Sequence, residues 1–251
     1  SFHQNIMHTG LAGAIELAGK MISDGADILD IGGQSTRPGS TLLSISEELK
    51  RVLPVVKIIH QQFPECIISI DTFYAEVAER CVAAGASLVN DVSGGTMDKN
   101  MFSTVAGLKV PYVCMHMPGT PQTMQKNADY EDVVQHVLQF FINTTQACVQ
   151  AGIHDVIVDP GFGFGKTTGQ NFKLLKKLSV FKMLDKPILV GLSRKASVYK
   201  TLCVTVSEAL NGTTVLHTLA IQNGANILRV HDVKEAKQVV TLMQAYKKAT
   251  S

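Results

Sequence analysis

Short apolar runs alternate with longer amphipathic stretches along the chain, and the alternation repeats seven times. The runs are DILDIGG (27–33), CIISIDT (66–72), SLVNDVS (87–93), YVCMHM (112–117), VIVDPG (156–161), PILVGLS (187–193) and ILRVHD (227–232). Most are rich in β-branched residues and close on polar residues or glycine. They are nearly continuously apolar, the pattern of strands covered on both faces, so they predict a parallel sheet. Between them the spacing becomes helical. Residues 128–151 carry Val133, Val134, Val137, Leu138, Phe141 and Ile142 at three- and four-residue intervals. Ser44-x-x-Glu47 and Thr205-x-x-Glu208 fit capping boxes at helix starts. Gly10, Gly85, Gly107 and Gly152 fit helix ends or turns.

Seven strand–helix units in 251 residues predict an α/β fold, a (β/α)₈ TIM barrel whose first strand would lie upstream of Ser1. The doubly wound alternative usually carries a glycine fingerprint at its switch point, and none is found here. No Pro/Ser/Gly linker divides the chain, so one domain is expected over 1–251. A barrel short of a strand would have open edges and reduced stability.

Composition narrows the function classes. With 45% apolar and 18% charged residues, the chain can build a substantial core. A net charge of +2 argues against a nucleic-acid footprint or a polybasic membrane patch. No apolar run approaches the ~20 residues needed to cross a bilayer, and no secretory leader is read at the start. Cys66, Cys81, Cys114, Cys148 and Cys203 are odd in number and never form C-x-x-C. They read as free thiols of a reducing cytoplasm, with no zinc cluster.

The stretch DPGFGFGKT (159–167) resembles a phosphate-binding loop but misses it. A P-loop would place glycine where Pro160 stands, and proline has no N–H to donate. Its glycines at 161, 163 and 165 also miss the G-x-G-x-x-G spacing. The residue ahead of the loop is more informative, because Asp159 closes a strand. Other strand ends offer Asp71, Asn90 and Asp91, Met115 and His116, Ser193-Arg194-Lys195, and Arg229, His231 and Asp232. The first strand leads into Gln34-Ser35-Thr36-Arg37-Pro38-Gly39. In a barrel all these ends meet on one face.

Two chemistries follow. Asp71, Asn90, Asp159 and Lys195 suit a flat heterocycle with hydrogen-bonding edges, since one carboxylate accepts two parallel N–H bonds from a guanidine-like edge. Arg37, Arg229 and His231 suit a phosphate or diphosphate. Plainer roles stand beside these. Lys166 and Arg194 fit solvated loop charges, and His116 fits a satisfied core histidine. Met115, Met117, Phe162 and Phe164 fit packing, His217 fits a structural helix residue, and Asp91 and Asp232 fit groups that orient neighbours.

The motifs GGQSTRPG (32–39), SIDT (69–72), VNDVSGG (89–95), MHMPGTPQTMQ (115–125), DPGFGFGK (159–166), GLSRK (191–195) and ILRVHDV (227–233) resemble dihydropteroate synthase, a pterin-binding family, in the family's order. The resemblance implies a (β/α)₈ barrel and a homodimer. The implied reaction condenses 6-hydroxymethyl-7,8-dihydropterin diphosphate with p-aminobenzoate, assisted by Mg²⁺. It implies pterin contacts from Asp71, Asn90, Met115, Asp159, Gly191, Lys195 and Arg229, and diphosphate contacts from Arg229 and His231. Thr36, Arg37, Pro38, Phe164, Lys195 and Ser197 would border p-aminobenzoate, the first three on a loop expected to close. Arg37, Asp71, Lys195, Arg229 and His231 are the catalytic candidates. Two departures stand out. The family's first strand and its N-x-T-P-D-S-F loop are represented only by Ser1-Phe2, so the expected Mg²⁺-binding asparagine falls outside this chain and no metal ligand is expected within it. Ala196 replaces the serine common after the SRK lysine, which predicts altered p-aminobenzoate and sulfonamide affinity. A pterin-dependent methyltransferase domain and an inert pterin-binding fragment are the alternative functions.

Overall fold

A computed structural model describes residues 2–35, 40–124 and 128–249, with side chains from residue 10 onward. All seven apolar runs form strands: β1 Ile28–Gly32, β2 Ile67–Asp71, β3 Leu88–Asp91, β4 Tyr112–Met115, β5 Val156–Asp159, β6 Leu189–Val190 and β7 Ile227–Leu228. They pair in parallel, in chain order, as a ladder β1-β2-β3-β4-β5 and a ladder β6-β7. A Val158–Ile188 bridge links the two. The result is the α/β barrel architecture, with seven strands among the described residues.

Helices cover the outside: α1 Phe2–Ser23, α2 Ile45–Gln62, α3 Ala75–Val82, α4 Met101–Leu108, α5 Val133–Ala151, α6 Thr168–Lys176, α7 Ala196–Leu202, α8 Leu210–Gln222 and α9 Val233–Lys248. A 3₁₀ segment, Leu178–Leu184, follows α6. Among the described residues, no helix is long and apolar enough to cross a membrane.

The continuously apolar strands divide cleanly between two faces. Leu29, Ile31, Ile68, Ile70, Val89, Tyr112, Cys114, Val156, Val158, Ile188 and Val190 point outward and join the core shared with the helices. Leu88, Val113, Ile157 and Leu189, with Ile227 against them, form a separate cluster in the lumen. Because strand side chains alternate, the residue two positions after each of these points into the lumen as well. Those residues are Asn90, Met115, Asp159, Gly191 and Arg229. The lumen therefore has an apolar plug with a polar layer directly above it.

Local chemistry sets the helix ends. The Ser44–Glu47 capping box forms as expected, each residue bonding the other's backbone N–H. At Thr205 only half of the expected box forms. Glu208 accepts the Thr205 backbone N–H at 3.0 Å, but the Glu208 N–H goes to the Thr205 carbonyl, and α8 begins later, at Leu210. Gly107 lies inside α4, whose end is instead turned by Lys109 in the left-handed conformation. Gly10 kinks α1 at φ 64°. Gly85 and Gly152 do turn the chain after α3 and α5 at positive φ. In α5 the expected stripe is buried at Val133, Val134, Val137 and Phe141, but Ile142 lies on the exposed side.

Candidate active site

The register aligns the polar layer. Gly32 pairs with Asp71, Asp71 with Asn90, and Met115 with Asp159. The Arg229 N–H continues the ladder to the Val190 carbonyl at 2.9 Å. Asp71, Asn90, Met115, Asp159, Gly191 and Arg229, which came from six separate motifs, thus line one mouth.

Asp30, which sequence reading did not single out, organises this layer. Its carboxylate accepts the Ser69 hydroxyl at 2.7 Å, the Asn90 amide at 3.2 Å and the Arg229 Nε–H at 2.6 Å. A second arm of the guanidinium donates to Asp71 at 2.9 Å. Arg229 therefore spans from β7 to β1 and β2, where no strand ladder runs among the described residues. The signal for Asp30 was in the sequence: Leu29 and Ile31 flank it, so once they face the helices Asp30 must face the lumen.

Charge is concentrated here at the expense of solvation. Burial, then the neighbouring Asp30 carboxylate, pushes Asp71 up to about 7 in spite of Arg229. Burial also raises Asp159, against the attraction of Lys195, Lys166 and Arg229. Lys195 is pulled down to about 8 by burial, with Asp159 opposing. Arg229 is driven further up, chiefly by Asp30. Carboxylates and cations held this way are typical of a ligand pocket.

Lys195, at the N-cap of α7, donates to the Phe162 carbonyl and lies 4.6 Å from the Phe164 ring centroid. His231 is turned towards Ser193, whose hydroxyl lies 3.1 Å from Nδ1 and accepts the His231 backbone N–H at 3.2 Å. This side-chain bond takes over where the β6-β7 ladder stops, which is why both strands are shorter than their apolar runs. Burial lowers His231 to about 4, so its ring is neutral near pH 7. Ser197 is buried, and its hydroxyl has no partner among the described residues. Thr36, Arg37 and Pro38 lie outside the described residues, but the neck of their loop does not. The Gln34 side chain bonds both backbone groups of Leu43, at 3.1 and 3.2 Å, and also donates to Glu48 at 3.0 Å.

Two residues expected to be solvated are not. Lys166 is buried, with only 5% exposure, and its ammonium is wrapped by protein acceptors. Arg194 grips Asp232 through two nitrogens at 2.8 and 2.9 Å and also donates to the Val206 and Ser207 carbonyls. For Lys166 the backbone folds back to replace its water; Arg194 keeps 21% side-chain exposure and trades the rest for a carboxylate and two carbonyls. His116 is a buried core histidine that bonds Lys166. His217 is buried in α8, with Nε2 unpartnered among the described residues. Asp91 faces away from the mouth and accepts from Ser93, Gly95 and Tyr112.

The stretch that mimicked a P-loop is a different device. Gly161, Gly163 and Gly165 all take positive φ, and a Cβ at Gly161 would lie 2.0 Å from the His116 carbonyl oxygen. Thr167, which fitted the P-loop serine/threonine, instead forms a capping box with Gln170 at the start of α6. Among the described residues, no group of three or more His, Cys, Asp or Glu side chains is placed to hold a metal ion.

Comparison with known proteins agrees with this geometry. A family model described as pterin binding enzyme matches residues 1–231. Dihydropteroate synthase of Escherichia coli strain K12 is 41% identical over 247 residues, which cover 98% of this chain and 87% of that protein. The structure of Xanthomonas albilineans dihydropteroate synthase with 4-aminobenzoic acid superposes with a TM-score of 0.90 at 40% identity, covering 97% of this chain and 87% of that one. A Yersinia pestis dihydropteroate synthase in complex with a sulfonamide drug gives a TM-score of 0.93 at 38% identity, covering 96% and 88%.

Proposed function

The chain belongs to the pterin binding enzyme family, and on that premise we propose that it condenses 6-hydroxymethyl-7,8-dihydropterin diphosphate with p-aminobenzoate, giving 7,8-dihydropteroate and pyrophosphate. The observation that carries this reading is the single luminal layer of Asp71, Asn90, Asp159 and Arg229, one alternation step above the apolar plug.

Asp159 accepts the guanidine-like edge of the pterin, Asn90 supplies both a donor and an acceptor, and the Lys195 ammonium donates to the ring's carbonyl side. Arg229 exchanges one of its carboxylate partners for the ring face, and with His231 it meets the diphosphate. In the reaction the bond between the pterin methylene carbon and the bridging phosphate oxygen breaks, and its electron pair leaves with pyrophosphate. Positive charge developing on the carbon spreads into the electron-rich ring, where the Asp71 and Asp159 carboxylates favour it. The amine nitrogen of p-aminobenzoate then forms the new C–N bond and afterwards releases a proton to water. A weak neutral amine needs no strong base here. Holding it in line supplies up to ~7–11 kcal/mol of the barrier reduction. Phe164 and Ser197 border its side of the pocket.

Mg²⁺ enters the proposal only as the counter-ion of the diphosphate substrate, since this ion is commonly held largely through phosphates and water. A homodimer and a cytoplasmic location complete the reading. In support of the first, Val215 and Leu219 on α8 and Leu242 and Tyr246 on α9 are exposed apolar pairs at i,i+4 spacing. In support of the second, all five cysteines are free.

The test supplies the dihydropterin diphosphate, Mg²⁺ and p-aminobenzoate and follows pyrophosphate. Release that requires p-aminobenzoate is expected. Binding of the pterin without release, or methyl transfer from methyltetrahydrofolate, would overturn the proposal.

A further inference from the structure

The loop after β5 is folded around one buried cation that the reaction does not use. Lys166 Nζ lies 2.9 Å from His116 Nδ1 and donates to the carbonyls of His116 at 3.2 Å, Gly161 at 3.0 Å and Phe164 at 3.0 Å. Two of those carbonyls belong to the loop that carries the pocket's recognition groups. Gly161 also donates its N–H to Asp159 Oδ1 at 2.8 Å, so the same residue is held by the lysine through its oxygen and by the carboxylate through its nitrogen. Phe164, held through its carbonyl, presents its ring to Lys195. Four acceptors converge on one nitrogen, an arrangement that suits an ammonium with three protons.

Resting on the reading above, we propose that Lys166 is a positioning residue for pterin recognition. Its buried ammonium shapes the 160–165 loop and holds the Asp159 carboxylate as the anion that accepts the pterin edge. An uncompensated carboxylate in this buried layer would take up a proton and lose the ability to accept two N–H bonds.

The charged and titratable groups around the pair are few. Lys195 and Arg229 face Asp159 from β6's loop and from β7. His116 faces Lys166 from the end of β4, and is itself held neutral, its pKa lowered to about 2 chiefly by burial. Tyr130 and His136 pack against His116 from the far side, and the Tyr130 hydroxyl donates to the Gly165 carbonyl. Lys195 is the stronger cationic neighbour of Asp159 and bonds the Phe162 carbonyl, but both it and Arg229 would touch substrate, whereas Lys166, bonded to Gly161 and Phe164, stays with the loop when the ligand binds. Its own pKa is drawn down to about 7 by burial while Asp159 pulls it back up. The two charges therefore support each other.

The experiment measures binding of 6-hydroxymethylpterin, which lacks the diphosphate, by its fluorescence between about pH 5 and 7.5. The unmodified chain and Lys166→Met are compared. Failure of the unmodified chain to bind would refute the proposed function itself. If it binds, Lys166→Met is expected to lose affinity about tenfold or more at the acid end and to bind with its pH midpoint shifted upward by about one unit. An unchanged midpoint would overturn the role given to Lys166, whatever happens to affinity. Should Lys166→Met not fold, the side-chain nitrogen resonance of Lys166 in the unmodified protein decides. An ammonium signal at the acid end of the range, where the pH midpoint is read, supports the proposal, and a neutral amine already below about pH 6 overturns it.

Discussion

Asp30 shows how one side chain can govern a site without being written in any motif's conspicuous positions. It holds Asn90, Ser69 and Arg229 at once, and so fixes both an edge-reading amide and the cation meant for the leaving group. Hydrogen bonds to charged groups contribute about 1.5–3 kcal/mol. If that positioning operates in the transition state, Asp30→Asn is expected to lower kcat/KM for the dihydropterin diphosphate by about 10- to 100-fold, with a small change in thermal stability. Steady-state kinetics at saturating p-aminobenzoate checks this. An unchanged kcat/KM would confine Asp30 to the resting state. Asp159, Asn90 and Asp71 were legible in the sequence because each closes an apolar run. Asp30 was not, because it lies inside one, and only the facing of Leu29 and Ile31 reveals it. Lys166 and Arg194 were misjudged for a related reason. Sequence shows a charge in a loop, but not that the loop folds back to supply carbonyls, as for Lys166, or that a distant carboxylate such as Asp232 meets it, as for Arg194.

At the scale of elements, the strands were legible almost run for run, because burial on both faces leaves a continuous apolar signature. Their ends were not, since ladders stop wherever a side chain such as Ser193 takes the next N–H. Helix starts followed the chemistry of Ser44 and Glu47, whereas Thr167 was obscured by its likeness to a P-loop. The element most open to a pH test is α2. It buries Glu48 completely beneath the loop neck, with Oε2 accepting from Gln34 and Oε1 unpartnered among the described residues. Burial raises Glu48 from 4.5 to about 7. The folded state therefore binds the extra proton between those values, and stability falls as pH rises from about 4.5 through about 7, then levels off. The span corresponds to a cost on the order of 3 kcal/mol at alkaline pH. Glu48→Gln keeps the acceptor for Gln34 and is expected to remove that slope, raising stability at pH 8 relative to the parent far more than at pH 5. Denaturant unfolding at both pH values checks this, and parallel stability changes at the two would contradict it.

Across the whole molecule, the barrel closes its polar layer between β7 and β1 with the Arg229 ion pairs to Asp30 and Asp71. Substrate must compete with those pairs, so the pocket is charged but not empty of partners before binding. The fold class was legible from the number and order of units. The oligomeric state was not, because apolar residues on a helix's outer side look the same to a pattern whether they meet solvent or another subunit. If a second copy covers them, sedimentation velocity should show a dimer, and Leu219→Asp with Leu242→Asp should give a folded monomer; a parent that remains monomeric at every concentration would rule the dimer out. The claim on which the rest depends is that the luminal layer reads a pterin edge. A crystal structure of the chain with bound 6-hydroxymethylpterin tests it most directly. The ring is expected above the apolar plug, its amino edge within hydrogen-bonding distance of Asp159 and its other edge facing Asn90 and Lys195. A pterin seated elsewhere, or an occupied mouth in which Asp159 makes no bond to the ring, would contradict it.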